Sequence, residues 1–272
     1  MSFSGSEALI DLLAGRPSSL ELDRAALELA KIEYPNLDPQ WSIGEIDRHA
    51  FVIAERTGDL SDGPKFVETV RTYLFGECGF CGNTDDYYHP DNSCINRVLD
   101  TRRGIPITLS VLYLEVARRL AMPVAGVGLP GHFLVRYDSA DFSAIIDPFH
   151  GGVIVDEEQC RALVQTETLD PEFFSAVDSR HIILRMIYNL RGIYLSRRDA
   201  PKALPILDLL IAANPDSPDE HKQKGVVLLM ERRLLESFAE FKRYLTLFPA
   251  APDREQIEEQ MRNMAFWMSS RN

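Results

Sequence analysis

The chain is short of cysteine, tryptophan and basic residues, and it has no long apolar run. Four cysteines in 272 residues (Cys78, Cys81, Cys94 and Cys160) are too few for a disulfide-built scaffold. Free thiols in a reducing compartment follow. The opening MSFSGSEALIDLLAG has no basic segment followed by an apolar stretch, so it does not read as a secretion signal, and a cytoplasmic location is expected. The apolar stretches break before membrane-spanning length. Lys and Arg number 29 against 41 Asp and Glu, a formal net charge of -12. That balance excludes a broad phosphate-neutralising face, so neither nucleic acid nor an anionic membrane surface is an expected partner. A glycine-rich nucleotide loop and an HExxH zinc motif are both missing, and no cofactor is expected.

What is present is the composition of a globule, 45% hydrophobic and 26% charged. A chain of this length makes one large domain or two ordinary ones. Charge divides it: residues 1–100 carry 8 basic and 18 acidic side chains, 101–180 carry 7 and 11, and 181–272 carry 14 and 12. The last third is chemically distinct. Residues 4–57 read as helical, with Leu22, Ala25, Ala26, Leu29 and Ile32 at helical spacing and a second set at Ile43, Ile46, Ala50 and Ile53. Further helical patterns cover about 64–74, 94–101 and 108–120. After Pro123 the runs VAGVG, HFLVRY and SAIID are rich in β-formers and separated by turn residues. A short helix over 156–165 and a polar TETLDPE stretch follow. Helices, then strands, then helices favour an α+β domain with an antiparallel sheet.

From about residue 181 the pattern is helical and repeats. Asn214-Pro215-Asp216-Ser217-Pro218 aligns with Phe248-Pro249-Ala250-Ala251-Pro252 at an offset of 34. At the same offset Leu204 meets Phe238, Leu207 meets Phe241, Leu210 meets Tyr244 and Ile211 meets Leu245. Thirty-four residues is the tetratricopeptide period, in which each helix pair buries a face against its neighbour. The expected division is an α+β domain with N-terminal helices over 1–175 and a helical repeat region over 176–272.

His132 stands after Gly131 at the mouth of a strand pattern, and Asp147 ends the next one. Adjacent antiparallel strands bring such residues together, and a carboxylate orients an imidazole. Asn83, Asp86, Tyr87, Tyr88 and Asn92, with Arg102, Arg103 and Thr108 beyond, are candidates to line the same cleft, which would receive a ligand or peptide. The competing reading of the Asn/Asp cluster is a loop satisfying its own backbone. Cys78, Cys81, His89 and Cys94 have a spacing short enough to converge on zinc.

The stretch from Phe75 to Arg136, with FGECGFCGN, RRGIPITLS and PGHFLVR, followed by IIDPFHGG, resembles the SirB1 family. That resemblance implies a transglutaminase-like core of the papain-like superfamily, a tetratricopeptide-like C-terminal region and cytoplasmic, bacterial membership. It implies a Cys, His, Asp chain order, with His132 and Asp147 as the last two members. The thiol belongs near Pro106–Thr108, and none is there; Thr108 and Ser110 are the nearby hydroxyls. The resulting expectation is a binding, assembly or regulatory protein with a degenerate cleft and a protein or peptide partner. Two alternatives accompany it. One is a cysteine-dependent amide hydrolase or acyltransferase using Cys94, His132 and Asp147; the other is a zinc-stabilised structural protein. No zinc is expected at the Cys78–Cys81 pair, because it lies in a loop that the resemblance explains without metal.

Overall fold

The computed structural model describes residues 6–165 and 170–270, so part of the polar stretch after residue 165 lies outside the described residues. Packing divides the chain into two units: one is Ser19–Met186, and the other joins Met1–Ser18, with helix α1 (Glu7–Leu13), to Ile187–Asn272.

In the first unit, α2 (Leu22–Ala30) and α3 (Pro39–Thr57) bury the apolar stripes that the spacing marks out. Helix α3 opens with the Asp38 carboxylate accepting the Gln40 N–H at 3.0 Å and Pro39 in the first turn. Helix α4 (Gly63–Val70) runs on into a π-helical segment, Arg71–Glu77. Then come β1 (Cys81–Gly82), α5 (Ile95–Thr101) and β2 (Arg103–Gly104), the two short strands pairing in parallel. Helix α6 (Pro106–Arg119) is apolar nearly all round, and its residues from Pro106 to Tyr113 are buried without interruption. Such a helix needs cover on every side. It finds that cover in α2, α3 and α5 and in the strands β3 (Val124–Val127) and β4 (Leu134–Asp138).

With β5 (Ser143–Asp147), β6 (Val153–Val155) and β7 (Ala176–Val177), those strands form a sheet in the order β6-β5-β4-β3-β7, every pairing antiparallel. Leu134 and Val135 are both fully buried, and successive strand residues face opposite ways. The sheet is therefore covered on both faces at β4. Helix α7 (Glu157–Val164) brings Cys160 against Val127, Leu134 and Val155, and burial pushes the Cys160 thiol up to about 11. The three strand patterns legible in the sequence are β3, β4 and β5.

Helix α8 (Ser179–Arg197) contains the point of division between the units. In the second unit, α9 (Ala200–Ala213) and α11 (Leu234–Leu247) are both fourteen residues long, and their bounds differ by 34. Helices α10 (Pro218–Met230) and α12 (Arg254–Ser269) follow them. Leu207 and Leu210 are buried on α9 as Phe241 and Tyr244 are on α11, while Leu204 and Phe238 are each half-buried. Phe241 passes over Gly225 of α10, where a Cβ would stand 2.7 Å from its ring. The two apolar registers thus occupy matching helix faces. The architecture is an α+β region with an antiparallel sheet, followed by a tetratricopeptide-like helical bundle.

Candidate functional site

Two turns assemble the site. In the first, Leu129-Pro130-Gly131-His132, the His132 N–H donates to the Leu129 carbonyl at 3.2 Å and Gly131 has φ +71. Pro then Gly is the pairing a type II turn demands, and it delivers His132 two residues ahead of β4. Arg185, on α8, donates from Nη2 to the carbonyls of Leu129 and His132, each at 2.9 Å. Its guanidinium also lies 5.2 Å from the Phe133 ring centre. Burial pulls the Arg185 pKa down.

The second turn is Asp147-Pro148-Phe149-His150-Gly151-Gly152, at the end of β5. Gly151 and Gly152 have φ +85 and +69, and the Gly152 N–H closes back on the Asp147 carbonyl at 2.8 Å. Asp147 Oδ1 accepts the backbone N–H groups of Phe149 (2.9 Å) and His150 (3.3 Å). Its other oxygen, Oδ2, meets His132 Nε2 at 3.0 Å and His150 Nδ1 at 2.7 Å. Burial raises the carboxyl's pKa, but hydrogen bonds and attraction from His132 and His150 outweigh it, so Asp147 sits below its ordinary range. The two imidazoles lie nearly parallel, 19° apart with centres separated by 5.8 Å. His132 and Asp147 are buried, whereas the His150 side chain is 52% exposed.

An aromatic relay links this pair of turns to the 83–92 loop. The Phe149 ring stands edge-on to His132 at 6.1 Å and to Tyr87 at 6.0 Å, and Tyr87 meets the exposed Tyr88 at 5.2 Å. Phe149 is seated on Gly82, where a Cβ would fall 2.5 Å from the ring. Within the loop, Asn92 is the hub: its Nδ2 donates to the carbonyls of Asp86 (2.7 Å) and Tyr87 (3.0 Å), and its Oδ1 accepts from Asn83 Nδ2 at 3.0 Å. Asn83 Oδ1 in turn accepts the Asp86 N–H. Asn83, Asp86 and Asn92 therefore spend these groups on one another.

The hydroxyls nearest the expected thiol position are also engaged. Thr108 Oγ1 donates to the Asn92 carbonyl at 2.6 Å and accepts the Ile105 N–H at 3.1 Å, capping α6. Ser110 Oγ donates to the Phe133 carbonyl at 3.3 Å. Arg102 lies over the Phe80 ring at 4.7 Å, and Arg103 is an exposed residue of the β1–β2 bridge. Cys94 is fully buried as the residue before α5, and Cys78 and Cys81 are half-buried. His89 Nδ1 accepts the Asp91 N–H.

Among the described residues, the metal-ligating side chains that converge are His132, Asp147 and His150, whose donor atoms all lie within 4.8 Å of one another. Cys78, Cys81, His89 and Cys94 form no such group. His150 and Arg185 escaped the sequence reading. His150 stands three residues after Asp147 in a strand-ending turn, a spacing that returns a side chain to its starting carboxylate. No local signal marks Arg185.

A sheet-borne His–Asp pair beside a central buried helix is the arrangement of one fold class, and the comparisons agree. The chain belongs to the transglutaminase-like superfamily, whose model matches residues 40–188. A tetratricopeptide-repeat model matches residues 190–262. A UPF0162 protein of Xylella fastidiosa is 32% identical over 247 residues, 88% of each chain. Protein SirB1 of Salmonella typhimurium is 22% identical over 246 residues, 88% of this chain and 90% of that one. F-box only protein 21 of Mus musculus is 30% identical over 186 residues, covering 62% of this chain and 27% of its own length, so the likeness extends beyond bacteria. No solved structure matches the chain significantly. The His/Asp cluster holds no paired cysteine, as in a non-catalytic or degenerate site. Among the described residues, no helix is long and apolar enough to cross a membrane.

Proposed function

We propose that the chain is a cytoplasmic binding or assembly protein that uses a degenerate transglutaminase-like cleft without covalent turnover. The observation that carries this reading is the sulfur-free His132–Asp147–His150 cluster. An imidazole oriented by a carboxylate activates a nucleophile only when one is within reach. The Thr108 hydroxyl proton is committed to the Asn92 carbonyl, and Ser110 is committed to the Phe133 carbonyl. Orientation by Asp147 does not replace a nucleophile.

The partner is a protein or peptide. The helical repeats carry a groove of about 1030 Å³ lined by Leu229, Leu235, Met264 and Trp267, with Arg232 and Arg233 at its side. Leu235 and Trp267 are among the most exposed large apolar residues, and open apolar surface of this kind marks interaction sites.

The test is labelling with an electrophilic thiol probe. Cys94 reacts slowly, at the same rate in the wild type and in His132→Ala, while His132→Ala weakens association with the protein partner. Rapid Cys94 labelling that disappears in His132→Ala overturns the reading in favour of a cysteine enzyme.

A further inference from the structure

We propose that His132 Nε2, Asp147 Oδ2 and His150 Nδ1 together bind one divalent transition-metal ion of the zinc type. Two imidazole nitrogens and a carboxylate oxygen are a donor set that suits zinc and its first-row neighbours, not magnesium or calcium, which take oxygen. The three donor atoms already lie within 4.8 Å of one another, and both nitrogens address the same oxygen, at 3.0 and 2.7 Å. Zinc bonds of about 2.0–2.2 Å place tetrahedral donors roughly 3.4 Å apart, so the two contacts need to open by roughly 0.4 and 0.7 Å. The half-exposed His150 side chain can supply the larger of these movements.

The surroundings hold the ligands as a metal centre requires. Asp147 Oδ1 is occupied by two backbone N–H groups, which leaves Oδ2 as the donor. His132 is fixed by its turn, by Arg185 on its carbonyl and by the Phe149 ring. Proton accounting closes within the imidazoles. In the hydrogen-bonded state each carries its proton on the nitrogen facing Asp147. To ligate, His132 carries it on Nδ1 and His150 on Nε2, and among the described residues neither of those atoms has a hydrogen-bond partner. The ligating form of each ring is the neutral imidazole, and its proton changes nitrogen by exchange with water. Three protein ligands leave a fourth position for water or a donor atom from a bound molecule. The inference does not depend on the partner-binding reading, because it is tested with metal alone.

The experiment uses the full chain stripped with a chelator and titrated with zinc against a chromophoric competitor. Cobalt is then added in place of zinc to record ligand-field bands. The expected result is one equivalent bound per chain, retained in Cys78→Ser/Cys81→Ser, with affinity falling at least about tenfold in His150→Ala. The His150 side chain is exposed enough for that variant to keep its fold, which circular dichroism checks. Absence of stoichiometric binding, unchanged affinity in His150→Ala, or loss of binding in the cysteine double variant each overturns the proposal.

Discussion

His49 gives the protein an acid sensitivity that can be worked out from its surroundings. It lies on the inner face of α3 with no exposed surface, and its Nδ1 is 3.2 Å from the Tyr73 hydroxyl. Nε2 is buried with no hydrogen-bond partner among the described residues, and the ring meets Tyr73 and Phe80 edge-on. Burial, reinforced by the charges of Arg48 and Arg102, lowers its pKa from 6.5 to about 4. Folding therefore disfavours the imidazolium. The stabilising effect is fully present above pH 6.5 and is lost as the pH falls toward 4, because the unfolded chain binds the proton first. The shift corresponds to about 3 kcal/mol in total, of which about 2 kcal/mol is gone by pH 5. The assay is urea unfolding between pH 7 and pH 5 in a Trp267→Phe background, so that Trp41 on α3 reports this unit alone. His49→Gln keeps a polar contact for Tyr73 and does not titrate. Its unfolding free energy should fall by about 2 kcal/mol less than that of the parent over this interval. Parallel curves, or an imidazole resonance titrating near 6.5 in the folded protein, would refute the reasoning.

Two further substitutions probe the scaffold of the site. Gly82→Ala puts a methyl about where the Phe149 ring stands, so the ring must shift; the expected cost is about 1–3 kcal/mol, with a changed chemical shift for the His132 ring protons, and NMR spectra identical to the parent's would contradict it. Arg119→Met strands the carboxylates of Asp23 and Glu115, whose side chains are 3% and 1% exposed and which Arg119 holds at 2.6 and 2.7 Å. Thermal unfolding should show a loss of about 3 kcal/mol, less any part that Arg118 recovers; a loss below about 1 kcal/mol would mean that Arg118 alone satisfies Glu115.

Periodicity made most of the architecture legible. The offset of 34 between Leu207 and Phe241 carried through to helices of equal length, and the strands at 124–127, 134–138 and 143–147 were marked by runs of β-formers with turn residues between them. The His132–Asp147 pairing was legible for the same reason, since β4 and β5 are consecutive. What escaped detection lacks a period. Strands β1, β2 and β7 are two residues long, and in β6 Val153 and Ile154 are exposed where a strand pattern would bury one of them. The π-helical segment at Arg71–Glu77 differs from an α-helix by a single hydrogen-bond register, which composition does not encode. His150 reaches Asp147 because the Asp147 carboxylate accepts the N–H groups of Phe149 and His150 and turns the chain back on itself. The loop from Asn83 to Asn92 is polar because its side chains complete each other's hydrogen bonds, a reason that composition alone cannot separate from ligand binding.

The pairing of α1 with α9 within one unit has a consequence for how the chain is made. Synthesis runs from the N-terminus, so Leu9 and Leu13, fully buried in the finished protein, leave the ribosome well before the rest of their unit. Their partner helix begins at residue 200. The whole of Ser19–Met186 is translated in the interval and can fold as its own unit while α1 still waits. Helix α1 is thus made long before the helix that covers it, and its leucines wait for α9 through the synthesis of an entire folding unit.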